Sequence, residues 1–165
     1  MTPEPELRGA IHLVGVISDT HGLVRPEAVA ALRGVELIIH AGDIGSAAVL
    51  AALEEVAPVK AIRGNNDTAP WARAIPETAV VEVGGVLMYV IHNLAELDRD
   101  PAAAGFHVVI SGHSHKPDVR RKDGILFLNP GSAGPRRFNL PICLLRLCIA
   151  GASVEHELVH LGVAT

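Results

Sequence analysis

Seven residues of this chain carry side chains that ligate divalent metals and sit at the ends of apolar runs: Asp19, His21, Asp43, Asn65, His92, His113 and His115. The sharpest case is Ser18-Asp19-Thr20-His21-Gly22, where Val14-Gly15-Val16-Ile17 stops at a carboxylate and an imidazole two residues apart. If the chain stays extended there, both side chains point to one side, about 6 to 7 Å apart at about 3.3 Å rise per residue. Carboxylate and amide oxygens with imidazoles, and no thiolate, suit manganese, iron or zinc better than calcium or magnesium, which prefer oxygen alone. Seven donors exceed the needs of one tetrahedral ion; they suit two ions about 3.5 to 4 Å apart sharing a carboxylate. Taken singly, each has an ordinary reading: Asp19 as a strand-end carboxylate, Asp43 as a turn residue after Gly42, Asp67 as a cap for the segment at Thr68. Their joint recurrence at strand ends favours one site.

The elements that must position these residues are legible in the hydropathy. Ala10 to Ser18 reads as a strand buried on both faces. Pro26 opens a helix that Gly34 closes, Val35 to His40 is a second buried strand, and Ser46 is an N-cap for a helix running to about Val56, before Pro58. Val59 to Arg63 is a third strand. The order βαβαβ predicts a parallel sheet, whose ligands bind outside the carboxyl ends of the strands, where Asp19, Asp43 and Asn65 all fall. Beyond Trp71 the texture changes to short strands. Glu77 to Val83 and Val86 to Ile91 form a hairpin about Gly84-Gly85 that ends in His92. A brief helical piece, interrupted near Pro101, is expected over residues 94–104, then a strand from Phe106 to Ser111 leading into Gly112-His113-Ser114-His115. Val119 to Arg121 and Ile125 to Leu128 form another hairpin, followed by Asn129-Pro130-Gly131-Ser132, and Ile142 to Ile149 and Val154 to Leu161 are the last strands. Residues 1–9 read as a disordered tail and residues 10–165 as one two-sheet domain with outer helices.

At 165 residues and 49% apolar, the chain is the size of one domain with a sizeable core. A net charge of −4 gives no basic footprint and argues against nucleic acid as a structural partner. The opening segment lacks the pattern of a secretion signal, and Arg146 interrupts the longest apolar run well short of a membrane span. Cys143 and Cys148 would lie on opposite faces of one strand as separate thiols. A soluble cytoplasmic setting without membrane attachment is therefore expected, and a homo-oligomer is compatible with the composition.

Asp-x-His, Gly-Asp, Gly-Asn-x-Asp, a lone His at a strand end and Gly-His-x-His occur in that order from residue 19 to residue 115. Together they resemble the calcineurin-like metallophosphoesterase superfamily, and the compact length with Asn129-Pro130-Gly131-Ser132 is similar to its small phosphodiesterase branch, beside which the retromer subunit scaffold belongs. The resemblance implies a four-layer α/β/β/α sandwich of two mixed sheets with outer helices. It implies Asp19, His21 and His115 on one metal, Asn65, His92 and His113 on a second, and Asp43 bridging them. The implied cofactors are two divalent transition metal ions, Mn²⁺ first and Fe or Zn as alternatives. The implied activity is hydrolysis of a small phosphodiester, with a metal-bridging hydroxide as in-line nucleophile.

Two positions depart from the pattern. Asn66 stands where many relatives carry a histidine thought to assist the leaving group, and an amide is no general acid near neutral pH, though it can donate a hydrogen bond to a phosphoryl oxygen. Asn93 stands where relatives carry glycine. Asn66 and Asp67 are the candidate catalytic residues, and Asn66 and Arg63 the candidates for holding substrate. The alternative is a protein-binding scaffold of the same fold, weakly active or inactive, for which Asn66 is the main support. A mononuclear zinc hydrolase of another fold, using His92, His113 and His115, is a weaker third reading. His40, at the end of a buried run, reads as a core or supporting histidine rather than a ligand.

Overall fold

The computed structural model describes residues 10–162; the tail expected over residues 1–9 and the last three residues of the expected domain lie outside them. The βαβαβ opening is present as β1 (Ile11–Ile17), α1 (Pro26–Leu32), β2 (Leu37–His40), α2 (Ala47–Glu54) and β3 (Val59–Ala61), with β1, β2 and β3 parallel. Ser46 holds the extended backbone of an N-cap, with φ −161° and ψ 157°, although its hydroxyl makes no capping bond. The last two strands, β9 (Cys143–Ala150) and β10 (Ser153–His160), join the same sheet antiparallel, giving the order β10-β9-β1-β2-β3.

The second sheet contains β4 (Thr78–Val83), β5 (Val86–Ile91), β6 (Val108–Ile110), β7 (Pro117–Lys122) and β8 (Ile125–Pro130), in the order β4-β5-β6-β8-β7. Its three central strands are parallel, with antiparallel edges at β4 and β7. Both sheets are mixed, as the resemblance implies.

Strand alternation explains the layers. Val14 and Val16 of β1 face the second sheet, joining Met88, Val90, Ile110, Leu128, Leu145 and Leu147 in the core between the sheets. Ile17 faces the other way, with Ile38 and Leu144, against Ala28, Leu32, Val49 and Leu53 of the two helices. Burial of a leucine such as Leu32 or Leu53 contributes about 1.5 to 3 kcal/mol. Arg146, which breaks the apolar run of β9, reaches across to α1 and donates to the carbonyls of Ala31 and Arg33. It thereby serves helix-end acceptors that lack intrahelical donors. Cys143 and Cys148 are both free; Cys143 is buried, its Sγ lies 3.2 Å from the Pro130 carbonyl, and burial pushes its thiol up to about 11.

The brief helical piece expected over residues 94–104 is shorter than its expected span. Over residues 94–104 there is a single 3₁₀ turn, Leu94–Glu96, and then further turns. Leu97 leaves the turn in extended geometry, with ψ 113°, and Pro101 disfavours helix at the residue before it. This segment lies beside the outer cluster of the second sheet, in which Leu94 and Leu97 pack with Tyr89, Ile91, Phe106, Val109 and Ile125. The two α-helices thus pack on the first sheet, and the 3₁₀ turn and Leu97 pack on the outer cluster of the second. No described helix is long and apolar enough to cross a membrane.

Candidate metal centre

Every expected ligand stands at the carboxyl end of a parallel strand. Asp19 and His21 follow β1, Asp43 follows β2, Asn65 follows β3, His92 follows β5, and His113 and His115 follow β6. Two groups of three come together: Asp19, His21 and His115, and Asp43, His92 and His113. In the first, Asp19 Oδ1 lies 3.4 Å from His115 Nε2 and 3.9 Å from His21 Nε2, and the two Nε2 atoms are 3.3 Å apart. In the second, Asp43 Oδ2 lies 3.3 Å from His92 Nε2, while Asn65 Oδ1 lies 3.2 Å from His113 Nδ1. Asp43 Oδ2 is also 3.8 Å from His21 Nε2, and Asp19 Oδ1 is 3.9 Å from His92 Nε2, so each carboxylate faces both groups. Two donor atoms about 2.1 Å from a common ion lie about 3 to 4 Å apart at angles of about 90 to 140°. The observed separations fall in that range.

The hydrogen bonds around these donors leave particular atoms free. Asp19 Oδ2 accepts from Ser18 Oγ at 2.7 Å and from the His113 N–H at 3.0 Å, whereas the buried Oδ1 has no hydrogen-bond partner among the described residues. His92 Nδ1 sits 2.7 Å from the Ala41 carbonyl and must donate to it, which leaves Nε2, also without a partner, to offer its lone pair. Buried acceptors converging with no donor among the described residues are costly unless a cation lies between them. The residues present therefore fit a divalent ion at each group.

Burial alone would raise both carboxylates. Asp43 is nevertheless held well below the usual carboxylate range, chiefly by His92 and the Asn66 N–H, and Asp19 is lowered by His115, Ser18 and His92. Burial lowers His21 against the opposing pull of Asp43 and Asp19, while at His92 the Asp43 carboxylate and the Ala41 carbonyl outweigh burial and raise it.

The backbone at the site is not the extended chain expected at Asp19-Thr20-His21. Among the described residues, five of the seven non-glycine positions with positive φ are candidate ligands: Asp19 (55°), His21 (47°), Asp43 (56°), His113 (71°) and His115 (63°). The carboxylate and imidazole after β1 are brought together by left-handed turns, not by strand alternation. Such residues cost about 1 to 3 kcal/mol each and persist only where surrounding structure over-determines them.

Several residues supply that structure. Asp67, 5% exposed, accepts from the N–H groups of Ile44, Gly45 and Gly64 at 2.9 to 3.0 Å, tying the loop after β2 to the loop after β3. Asn129 Nδ2 donates to the Gly112 carbonyl at 2.9 Å, and Ser132 Oγ donates to the Asp19 carbonyl at 3.0 Å, so the end of β8 and the residues just after it brace two ligand loops at once. Gly112 and Gly64 allow the loops to interlock: a Cβ at Gly112 would fall on Ser18 Oγ, and one at Gly64 on Asp43 Oδ1.

His40 has the supporting role expected of it. Thr20 Oγ1 donates to the Ile44 carbonyl at 2.8 Å and so must accept from His40 Nε2, 2.9 Å away; His40 Nδ1 accepts from the Gly42 N–H at 3.1 Å. Both bonds require the neutral ring with its proton on Nε2, and burial depresses its pKa to about 4. The unfolded chain, with His at about 6.5, binds the extra proton first, so stability is intact above that value and falls as the pH drops toward 4. The full window corresponds to about 3 kcal/mol. Urea unfolding of metal-free protein across this window should show the loss in wild type and a flatter dependence in His40→Gln.

The candidate catalytic and substrate residues occupy different surroundings. Asn66 donates from its backbone N–H to Asp43 Oδ1 and from Nδ2 to Asp43 Oδ2, both at 3.0 Å. Asp67 has its oxygens occupied by the backbone N–H groups of Ile44, Gly45 and Gly64. Arg63 lies on the wall of the adjoining cavity, paired with Glu77 at 3.0 Å. Asn93 has φ −108°, which needs no glycine, and its Oδ1 accepts from the Ala95 N–H. The roles of Ser18, Thr20, Asn129 and Ser132 were not legible in the sequence; the signal was nearness to Asp19 for the first two and the Asn129-Pro130-Gly131-Ser132 motif for the others.

Two mixed sheets with carboxylate, amide and imidazole donors gathered at the carboxyl ends of parallel strands define a metal-binding α/β protein. The chain belongs to the calcineurin-like phosphoesterase superfamily, whose domain it matches over residues 13–151. A probable metallophosphoesterase of Methanothermobacter thermautotrophicus is 36% identical over 162 residues, covering 91% of this chain and 93% of that protein. A phosphodiesterase of Methanocaldococcus jannaschii is 29% identical over 137 residues, covering 72% of this chain and 82% of that protein. Among solved structures, Vacuolar Protein Sorting 29 from Cryptosporidium parvum shares the fold with a TM-score of 0.75 at 20% identity, covering 90% of this chain and 97% of that one.

Proposed function

We propose that this protein is a metal-dependent phosphoesterase that prefers small phosphodiesters and works with two divalent ions, Mn²⁺ first. The observation that carries the reading is the pair of unpartnered buried atoms, Asp19 Oδ1 and His92 Nε2, with Asp43 Oδ2 facing both ligand groups. Divalent cations bound there would neutralise phosphoryl charge and make a water acidic enough to act as nucleophile. Asp19, His21 and His115 would hold one ion, and Asn65, His92 and His113 the other, with Asp43 shared. The His92 ring is oriented for this by donation to the Ala41 carbonyl. Two carboxylates against two dications leave the centre net positive, which favours a phosphate anion. Asn66 orients Asp43 through two hydrogen bonds and offers no acid, so the substrates favoured are those whose leaving group departs without a proton. Protein stripped of metal should not cleave bis(p-nitrophenyl) phosphate, and Mn²⁺ should restore cleavage; unchanged turnover after complete metal removal would overturn the proposal.

The same account predicts the outcome of supplying the missing acid. General acid catalysis is worth about 10²- to 10⁴-fold when well placed. Asn66→His should therefore raise the ratio of alkyl-ester to aryl-ester turnover about tenfold or more, measured with paired phosphodiesters. The second reading is a binding scaffold, supported by the likeness to Vacuolar Protein Sorting 29 and by Asn66. Protein purified without chelator and holding fewer than one transition ion per chain would favour it.

A further inference from the structure

A cavity of about 490 Å³ opens beside the second ligand group, within the range of about 300 to 1,000 Å³ typical of small-molecule sites. Its inner wall is formed by Asn65 with His92 and His113 of that group; His92 is only 5% exposed, and its Nε2 has no partner among the described residues. A phosphoryl group on the metal centre would therefore direct a substituent into this space. The outer walls carry fixed charge of both signs. Arg63 is neutralised by Glu77 at 3.0 Å, and the Arg99 guanidinium lies 5.2 Å from the centre of the Tyr89 ring. Glu96 and Asp98 also line the cavity and form no ion pair among the described residues. Two guanidinium groups against three carboxylates leave one negative charge in excess.

We propose that this cavity is the subsite for the alcohol that the phosphate ester retains, and that it selects a neutral, hydroxyl-bearing alcohol such as a ribose or a glycerol provides. The proposal rests on the phosphoesterase reading. Free carboxylates accept from hydroxyl groups, and the arginines donate to their oxygens, so a polyol finds partners of both kinds. A second phosphate would instead meet Glu96 and Asp98 as like charges. The cavity is thus complementary to the metal centre: one end takes the anion and the other repels a second.

The test is calorimetric binding to the Mn²⁺-loaded full chain, with inorganic phosphate and methyl phosphate as references. The probes are glycerol 3-phosphate, adenosine 5′-monophosphate and adenosine 3′,5′-bisphosphate. At least one polyol ester should bind tenfold or more tightly than methyl phosphate, the tighter of the two identifying the source, and the bisphosphate should bind no more tightly than the monophosphate. The double variant Glu96→Gln/Asp98→Asn, at exposed positions, should reduce the polyol advantage below threefold and strengthen bisphosphate binding, with inorganic phosphate unchanged within twofold. Equal binding of methyl and polyol esters, or an undiminished advantage in the double variant, would overturn the subsite. Polyol preference without any diester cleavage would leave the subsite standing and overturn the hydrolase reading; aryl-diester cleavage without preference would do the reverse. Failure of every phosphate probe to bind would overturn both.

Discussion

Replacing Asp43 by asparagine should reduce diester turnover by about 10³-fold or more and lower the number of tightly bound divalent ions per chain. The substitution keeps the shape of the side chain but removes one of the two carboxylate charges that face both ligand groups. It also puts an amide nitrogen opposite existing donors, because Asn66 already presents its backbone N–H to Oδ1 and its Nδ2 to Oδ2. At 1.36 kcal/mol per decade, the expected loss is about 4 kcal/mol, of the size attributed to charge stabilisation by a bound metal. Metal content by mass spectrometry and initial rates with bis(p-nitrophenyl) phosphate measure the two effects separately. An Asn variant with full metal content and unimpaired turnover would remove Asp43 from the centre.

Asp67→Ala should produce the largest loss of stability at the site, about 3 to 5 kcal/mol in urea unfolding of the metal-free protein. Its carboxylate accepts three backbone N–H groups from two loops, and hydrogen bonds to charged groups contribute about 1.5 to 3 kcal/mol each, with non-additivity reducing the sum. Asp67→Asn has one acceptor oxygen for those donors and should lie between wild type and the alanine variant. Metal affinity should fall with stability, since the loop that Asp67 fastens to Gly64 carries Asp43, and Gly64 leads directly into Asn65. A loss below about 1 kcal/mol would show that the three bonds are replaced by water.

What was legible in the sequence follows from what apolar runs encode. Buried strands such as β1 and β2, the hairpin about Gly84-Gly85 and the ligand types at strand ends are all properties of local pattern. The family likewise follows from motif order, and the match over residues 13–151 agrees with it. The left-handed backbone at Asp19, His21, Asp43, His113 and His115 was not legible, because the modest tendency of Asp and His toward that region does not single out these positions. It is imposed by contacts between segments up to 113 residues apart, such as Ser132 with the Asp19 carbonyl. The bonds of Asp67, a candidate catalytic residue or a local cap on the sequence, were hidden for the same reason: its three donors come from Ile44, Gly45 and Gly64, two of them more than 20 residues away. The segment over residues 94–104 has a helical composition, but Pro101 and the extended exit at Leu97 confine it to one turn.

The central claim is that two divalent ions share Asp43 between the two ligand groups. Anomalous scattering from crystals grown with Mn²⁺ tests it most directly. The account predicts two peaks about 3.5 to 4 Å apart, one beside Asp19, His21 and His115 and the other beside Asn65, His92 and His113, with Asp43 between them. A single peak, or none at saturating Mn²⁺, would contradict it.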